Sequence, residues 1–366
     1  MPVDRALPPI PAFPWLEPEP ARAETVALRK IYLHVTKACN LRCAYCYFTA
    51  SKALPDEMSG DELAPLWREL VALGPEKVVF TGGEPLLRSD LFDLLGSLRA
   101  ADPQHRVLRC LNTNGHLVTP QLAERLVGLA DEVRVSVDAL AERNDALRGP
   151  GSFAAALNAL ECFHGFGFEP KALVTLTPDT VPDLEDLLCL LFERGITRVN
   201  LNGLRPVGRA RRNAAWRVDP AEVHAAVLGA WTRCDPQRPP PPAARPPSAG
   251  TSCGVGQFLN IMPNGDVFPC HVLTQREFCC GNVREESLLA ICRRSGLLGH
   301  LQAVDFHDLA DRDHRLAPLA QPDTCMGAVY AATREFPVWS QSLPITPVRL
   351  TRHESRHREV RGAVRT

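Results

Sequence analysis

KACNLRCAYCYF, residues 37–48, sets Cys39, Cys43 and Cys46 on eight consecutive positions. Three thiolates on one short loop can hold three corners of a cubane iron–sulfur cluster and leave the fourth iron without a protein ligand. Catalytic metal sites keep such an open position, whereas a closed electron carrier has a fourth cysteine. Structural zinc takes four protein ligands, and no His or Cys follows the loop at finger-like spacing. His34, the nearest histidine, stands in the apolar run IYLHVT and reads as a core residue.

Outward from the loop the chain alternates between two periods. Short apolar or β-branched runs fall at 31–36, 78–81, 107–112, 133–137, 172–176 and 198–201. Helix-period segments lie between them. Ser59 and Glu62 form a capping box before 63–73. Thr119 and Pro120 give an N-cap followed by proline at the first helical position. Further helices are expected at 153–166 and 184–194, the second stopped by Gly195. About six βα units make a parallel sheet with helices outside. They are too few for an eight-fold barrel, so the expected class is α/β, a partial (β/α)6 TIM-like barrel. The cysteine loop follows the first strand. FTGGEP, residues 80–85, follows the second, at the same C-terminal rim where parallel sheets put their active sites. Gly82 and Gly83 admit close backbone approach, and Glu84 offers a carboxylate to a cation such as an amino group.

Taken together, the Cys39-x3-Cys43-x2-Cys46 spacing, the aromatic Tyr45 before the last cysteine and the Gly82-Gly83-Glu84 triplet resemble the radical S-adenosylmethionine (SAM) superfamily. The resemblance implies a [4Fe–4S] cluster whose open iron is chelated by the amino and carboxylate groups of SAM. It implies reductive cleavage of SAM to a 5′-deoxyadenosyl radical, with Gly82, Gly83 and Glu84 binding the methionine amino group. Asn114, at the end of the third unit, joins the cofactor-binding candidates. Ser136 and Arg148 match segments that reach the methionine carboxylate or the ribose. Asp138 either caps a turn or contacts ribose. The arginines of LRPVGRA, residues 204–210, either line the cavity or face water.

The barrel pattern ends near Cys234, and a Pro-rich spacer covers 235–250. Beyond it FLNIM, the turn PNGD and VF read as a β-hairpin that brings Cys253 and Cys270 together. The Cys-x11-Gly-x4-Cys element at Cys253, Gly265 and Cys270 resembles the SPASM/twitch extension, a small α+β domain. A complete extension carries seven cysteines for two auxiliary clusters. Of its later cysteine run this chain has Cys325, with Val329 four residues on. Two readings stay open. One is a single auxiliary [4Fe–4S] cluster on Cys253, Cys270, Cys325 and a fourth ligand among Cys279, Cys280 and Cys292. The other is a degenerate extension with none. In the sulfatase-maturating branch an aspartate follows this cysteine as a base; here it is His271, either a substrate base or a hairpin-end residue. The expected division is a Pro-rich segment 1–25, the barrel 26–234, the linker 235–250, the SPASM/twitch-like domain 251–336 and a basic tail 337–366.

The 366 residues suffice for two domains with cores. A net charge of −1 speaks against nucleic acid or membrane as a general partner. The N-terminus lacks a signal-peptide core and no segment is long enough to span a bilayer, which gives a cytoplasmic expectation. There, 13 cysteines argue for metal or redox chemistry rather than disulfides. Cys110, Cys162, Cys189 and Cys234 are assigned to packing. The resemblance implies hydrogen abstraction from a ribosomally made peptide during cross-linking, thioether formation or oxidation, with a separate recognition protein and an external donor such as flavodoxin or ferredoxin. A second reading is a radical SAM dehydrogenase or related enzyme acting on an aminosugar or tetrapyrrole. A third is a non-catalytic iron–sulfur protein.

Overall fold

Alternation along β1 (Lys30–Thr36) separates the inside of the barrel from the outside. Ile31, Leu33 and Val35 are buried in the main core against the helices. Tyr32, His34 and Thr36 therefore face the barrel interior. The structure, a computed structural model, describes residues 28–205, 207–212, 216, 218–234 and 255–303. The segment 1–25, the linker 235–250 and the tail 337–366 lie outside the described residues, as do Cys253 and Cys325.

After β1, α1 (Gly60–Leu73) returns the chain to β2 (Lys77–Gly82). The capping box is present: Ser59 Oγ accepts from Glu62 N, and Glu62 accepts from Ser59 N at 2.8 Å. Then follow α2 (Leu91–Ala101), β3 (Leu108–Thr113), α3 (Pro120–Leu126) and β4 (Glu132–Ser136). Next come α4 (Ala141–Arg148), α5 (Ser152–Gly165), β5 (Lys171–Leu176), α6 (Leu184–Glu193), β6 (Arg198–Gly203) and α7 (Pro220–Cys234). The six strands pair in parallel in chain order, as the sequence reading expects. Helix α4 has no counterpart in that reading. Its sequence AERNDALR lacks an apolar stripe, and a buried polar residue positions it instead. Asn144 accepts from Asp138 N at 2.9 Å and donates to Ser152 Oγ at 2.8 Å.

The hairpin, β7 (Phe258–Ile261) and β8 (Asp266–Phe268), forms as expected and continues into β9 (Gly281–Asn282). It is not a separate sheet. β7 pairs in parallel with β1, giving one nine-stranded sheet of order β6-β5-β4-β3-β2-β1-β7-β8-β9. Fully buried His34 and Asn260 meet across that seam, Nε2 to Oδ1 at 2.8 Å. Burial pushes the His34 imidazole down to about 3. The neutral ring therefore gives its Nε2 proton to the amide oxygen. α8 (Leu288–Arg294) and α9 (Gly296–Ala303) follow, and Leu289 N donates to Glu69 of α1 at 3.0 Å.

Opposite the rim, at the N-terminal strand ends, Glu132 bridges Lys77 at 3.6 Å, Lys171 at 3.3 Å and Arg198 at 3.5 Å, and also pairs with Arg134. Burial alone would raise its pKa, yet Arg134, Lys77 and Lys171 hold it down to about 2. This charge cluster floors the barrel and leaves the rim as its open end. No helix among the described residues is long and apolar enough to cross a membrane.

One cysteine assignment is corrected. Cys189 of α6 and Cys234 at the end of α7 form a disulfide, with their Cα atoms 5.7 Å apart. The helices pack side by side, and Arg233 holds Asp186 at 2.7 Å and Glu185 at 3.2 Å. That packing fixes two cysteines 45 residues apart within bonding reach. A loop of this size stabilises by about 2–4 kcal/mol. Reduction, or Cys234→Ser, is expected to lower the thermal midpoint by about 5–10 °C. Calorimetry with and without a reductant checks this, and an unchanged midpoint would refute it. Cys110 and Cys162 are free thiols. Cys110 is fully buried, in keeping with packing.

Candidate functional site

The cysteine loop leaves β1 at Thr36 and is closed at its neck. Cys39 N donates to Ser51 O at 3.0 Å, and Ser51 N donates to Lys37 O at 2.9 Å. Inside the neck the chain turns tightly, with Cys46 N to Cys43 O at 3.2 Å and Thr49 N to Cys46 O at 3.3 Å. Cys39, Cys43 and Cys46 are free and half-buried. Burial pushes the Cys39 and Cys43 thiols up, and the neighbouring thiols push them further. A cationic centre would reverse that preference by drawing the protons off. Among the described residues, no three His, Cys, Asp or Glu side chains gather around a single-ion position. Three sulfur donors on one loop are the chemical donor set of an iron–sulfur cluster.

The end of β2 lies against this neck. Gly83 N donates to Thr36 O at 2.8 Å and Glu84 N to Ala38 O at 2.7 Å. A Cβ on Gly83 would sit 1.9 Å from Ala38 O, and one on Gly82 would sit 2.3 Å from Thr36 O. Gly82 also has φ +139. The two glycines therefore serve the loop's seat by their missing side chains.

Glu84 is 1 % exposed. It accepts from Thr113 Oγ1 at 2.8 Å, Asn114 N at 2.7 Å and Leu86 N at 3.2 Å. Burial nevertheless raises its carboxyl to about 7. A buried carboxylate whose ionic form is this poorly compensated is prepared for a cationic partner. Asn114 ties the third strand to the loop, donating to Asn40 Oδ1 at 2.7 Å.

Behind the loop, Tyr45 donates to Asp138 Oδ2, and Arg148 donates to Tyr45 Oη at 2.6 Å and to Asp138 at 3.0 Å. Asp138 Oδ1 accepts from Thr175 N at 2.7 Å, and Ala44 N donates to Leu147 O at 2.8 Å. Asp138, read as a turn cap or a ribose contact, and Arg148, read as reaching the methionine carboxylate or the ribose, hold Tyr45 and each other in this structure. Arg148 Nε is buried without a partner. Ser136 is half-buried at the end of β4 on the interior face.

A residue the sequence reading left undecided completes the seat. Arg209, in the 3-10 turn Gly208–Arg212, sends its N–H to Cys46 O at 3.0 Å, Nε to Cys43 O at 2.8 Å and a terminal nitrogen to Ala50 O at 3.0 Å. Gly208, at φ +60, lets the turn come this close: a Cβ there would lie 2.3 Å from Tyr47 O. The signal was the Gly-Arg pair after the sixth strand, but its target is 166 positions away.

In the hairpin region Cys270 is buried, and its sulfur accepts from Val272 N at 3.4 Å and Leu273 N at 3.3 Å. Cys39 accepts from Leu41 N at 3.4 Å in the same manner. Cys279 is half-buried, and burial raises both Cys280 and Cys292 to about 12. His271 lies between Tyr32 at 5.7 Å and Tyr47 at 5.4 Å, ring to ring. Burial and the charge of Arg205 push it down to about 4, so it is neutral at pH 7.

Residues 33–191 match the Radical SAM superfamily, and residues 253–314 match an iron–sulfur cluster-binding domain, SPASM. The mycofactocin maturase MftC of Mycobacterium ulcerans is 33 % identical over 264 residues, covering 68 % of this chain and 70 % of that protein. The Mycolicibacterium smegmatis maturase is 32 % identical, with 66 % of its length covered. An AdoMet-dependent heme synthase of Oleidesulfovibrio alaskensis is 30 % identical over 317 residues, covering 77 % and 79 %. Streptococcus suis SuiB bound to S-adenosylmethionine superposes with TM-score 0.63 at 17 % identity, covering 75 % of this chain and 68 % of that one.

Proposed function

The chain belongs to the radical SAM superfamily, and from that premise we propose that it matures a ribosomally made peptide. It is a radical SAM enzyme with a SPASM-type extension, and its cofactors are a [4Fe–4S] cluster and SAM. When bound, these supply a carbon radical able to take a hydrogen atom from an unactivated C–H bond. The chain's own residues do the rest. Cys39, Cys43 and Cys46 hold the three protein-ligated corners. Glu84 receives the methionine ammonium, with Gly82 and Gly83 giving the approach. Asn114 and Ser136 face the cofactor from the rim. Tyr45, Asp138, Arg148 and Arg209 keep the loop in one shape. His271 is the candidate substrate base. Cys270 is a ligand of one auxiliary cluster, with Cys253, Cys325 and a fourth ligand among Cys279, Cys280 and Cys292.

The single observation behind the chemistry is the three-thiol loop seated on Gly82, Gly83 and buried Glu84. Peptide maturation draws its support from the maturase relatives, as does a precursor-peptide partner. The heme synthase relative, covered over more of its length, favours a second reading in which the substrate is a tetrapyrrole.

Anaerobic reconstitution with SAM and dithionite separates them. Short peptides encoded beside the gene, and an iron coproporphyrin, are supplied in parallel. We expect 5′-deoxyadenosine release, abolished by Cys43→Ala, and a mass change in a peptide. A mass change in the porphyrin alone would establish the second reading. No 5′-deoxyadenosine with any partner would refute both.

A further inference from the structure

The two sulfurs of the Cys189–Cys234 disulfide are not equivalent. Cys189 lies within α6 and is 4 % exposed. Cys234 closes α7 and is half-buried, so it is the more accessible of the pair. Arg233 points its Nε–H at Cys189 Sγ, at 3.2 Å. Its terminal nitrogens are held by two carboxylates of the first turn of α6, Asp186 at 2.7 Å and Glu185 at 3.2 Å. The guanidinium is thereby aimed at one sulfur. A disulfide sulfur is a weak acceptor and gains little from such a donor. A thiolate in the same place gains a charge-assisted hydrogen bond.

Thiol–disulfide exchange joins an attacking thiolate to one sulfur and expels the other, and the better-stabilised leaving thiolate departs faster. Attack at Cys234 expels Cys189 beside Arg233. Attack at Cys189 would have to reach a buried sulfur. It would also expel a thiolate at the C-terminal end of α7, where the helix dipole disfavours negative charge. Access and leaving group therefore select one direction. Every other cysteine among the described residues is a free thiol. The conditions that keep Cys39, Cys43 and Cys46 reduced also act on this disulfide, and disulfides in reducing surroundings are usually transient or redox-sensing. The helix is built to respond. Ala230 is the one buried residue of α7 among those described, so the disulfide and the Arg233 pairs fasten its last turn.

We propose that Cys189–Cys234 is a reversible redox switch, opened by a dithiol reductant of the thioredoxin class that attacks Cys234, with Arg233 receiving the Cys189 thiolate. The reductant's thiolate bonds to Cys234 Sγ, the Cys189–Cys234 bond breaks, and the electron pair leaves on Cys189 Sγ. The reductant's second thiol then loses its proton and displaces Cys234, which leaves as a thiolate and takes up a proton. The chain gains two electrons and the dithiol becomes a disulfide. Reduction unfastens the last turn of α7 from α6. Neither substrate reading enters this chemistry.

The test uses the reconstituted full-length chain, oxidised with glutathione disulfide under anaerobic conditions, and reduced thioredoxin as probe. Differential alkylation with peptide mass spectrometry reads Cys189 and Cys234. Both are expected to be protected at the start and alkylated after thioredoxin is added to the folded chain. A thioredoxin lacking its second cysteine should be trapped on Cys234. Arg233→Gln should slow the reduction by about tenfold. The sign is diagnostic, because an arginine that merely braced the helices would, once removed, loosen α7 and speed the reaction. Backbone amides over 228–234 should exchange about tenfold faster after reduction. A trap on Cys189, or reduction of Arg233→Gln at the wild-type rate or faster, would overturn the proposal. So would unchanged amide exchange, thiols that stay alkylatable after glutathione disulfide, or a bond that thioredoxin opens only once denaturant has unfolded the chain.

Discussion

Gly83→Ala is expected to yield a chain that takes up little iron and sulfide on anaerobic reconstitution. The new Cβ would lie 1.9 Å from Ala38 O, 2.5 Å from Ala38 C and 2.8 Å from Lys37 O. All three are backbone atoms, so no side chain can swing away. They belong to the neck that leads to Cys39, and the same backbone holds Glu84 N at 2.7 Å. Relief requires β2 and the loop to part, which breaks that bond. Overpacking a rigid site costs about 1–3 kcal/mol, occasionally more, and backbone contact places this case at the upper end. The expected readout is iron content per chain well below that of wild type with a lower thermal midpoint. Wild-type iron content at an unchanged midpoint would refute the assignment of Gly83 to the loop's seat.

Glu84→Gln should weaken SAM binding by about 100-fold at pH 8 and remove its pH dependence. Truncating one partner of a buried charged hydrogen bond costs about 2–5 kcal/mol. The sign with pH follows from the carboxyl lying near 7. Above that value the free protein holds a carboxylate, and an ammonium binds without proton exchange. Below it the ligand must first expel a proton, so affinity should fall by about tenfold for each pH unit. Folding responds in the opposite sense. A carboxyl raised above its unfolded value withdraws stability as pH climbs from about 4.5 to 7, and a bound ammonium restores it. Titrating SAM into the reconstituted protein at pH 6, 7 and 8 checks both. A glutamine variant that keeps the wild-type slope would separate Glu84 from the amino group.

The features legible in sequence were the local ones. The cysteine loop, the Gly-Gly-Glu triplet, the capping box at Ser59 and the six strands each lie within a few consecutive residues, where spacing and period carry the signal. What stayed hidden joins distant positions. Tyr45 meets Asp138 across 93 residues and Arg148 across 103. Arg148 is a cofactor-binding candidate through the resemblance of its segment, and Asp138 is open between a turn cap and a ribose contact. Only the fold shows that both reach Tyr45. Cys189 and Cys234 each suit a packed helix, and nothing in either segment announces the other. Helix α4 escaped because its fixing residue, Asn144, is polar, and apolar periodicity cannot register an amide that is fully buried. The hairpin was legible and its partner was not, since β7 finds β1 more than 220 residues upstream.

That last pairing gives the extension a structural duty toward the barrel. Without β7, the first strand would be an unprotected margin of the sheet, its amides and carbonyls bare to any stray strand, and His34 would face water with no amide to receive its proton. The ribbon is thus masonry for the catalytic half, independent of any metal it carries.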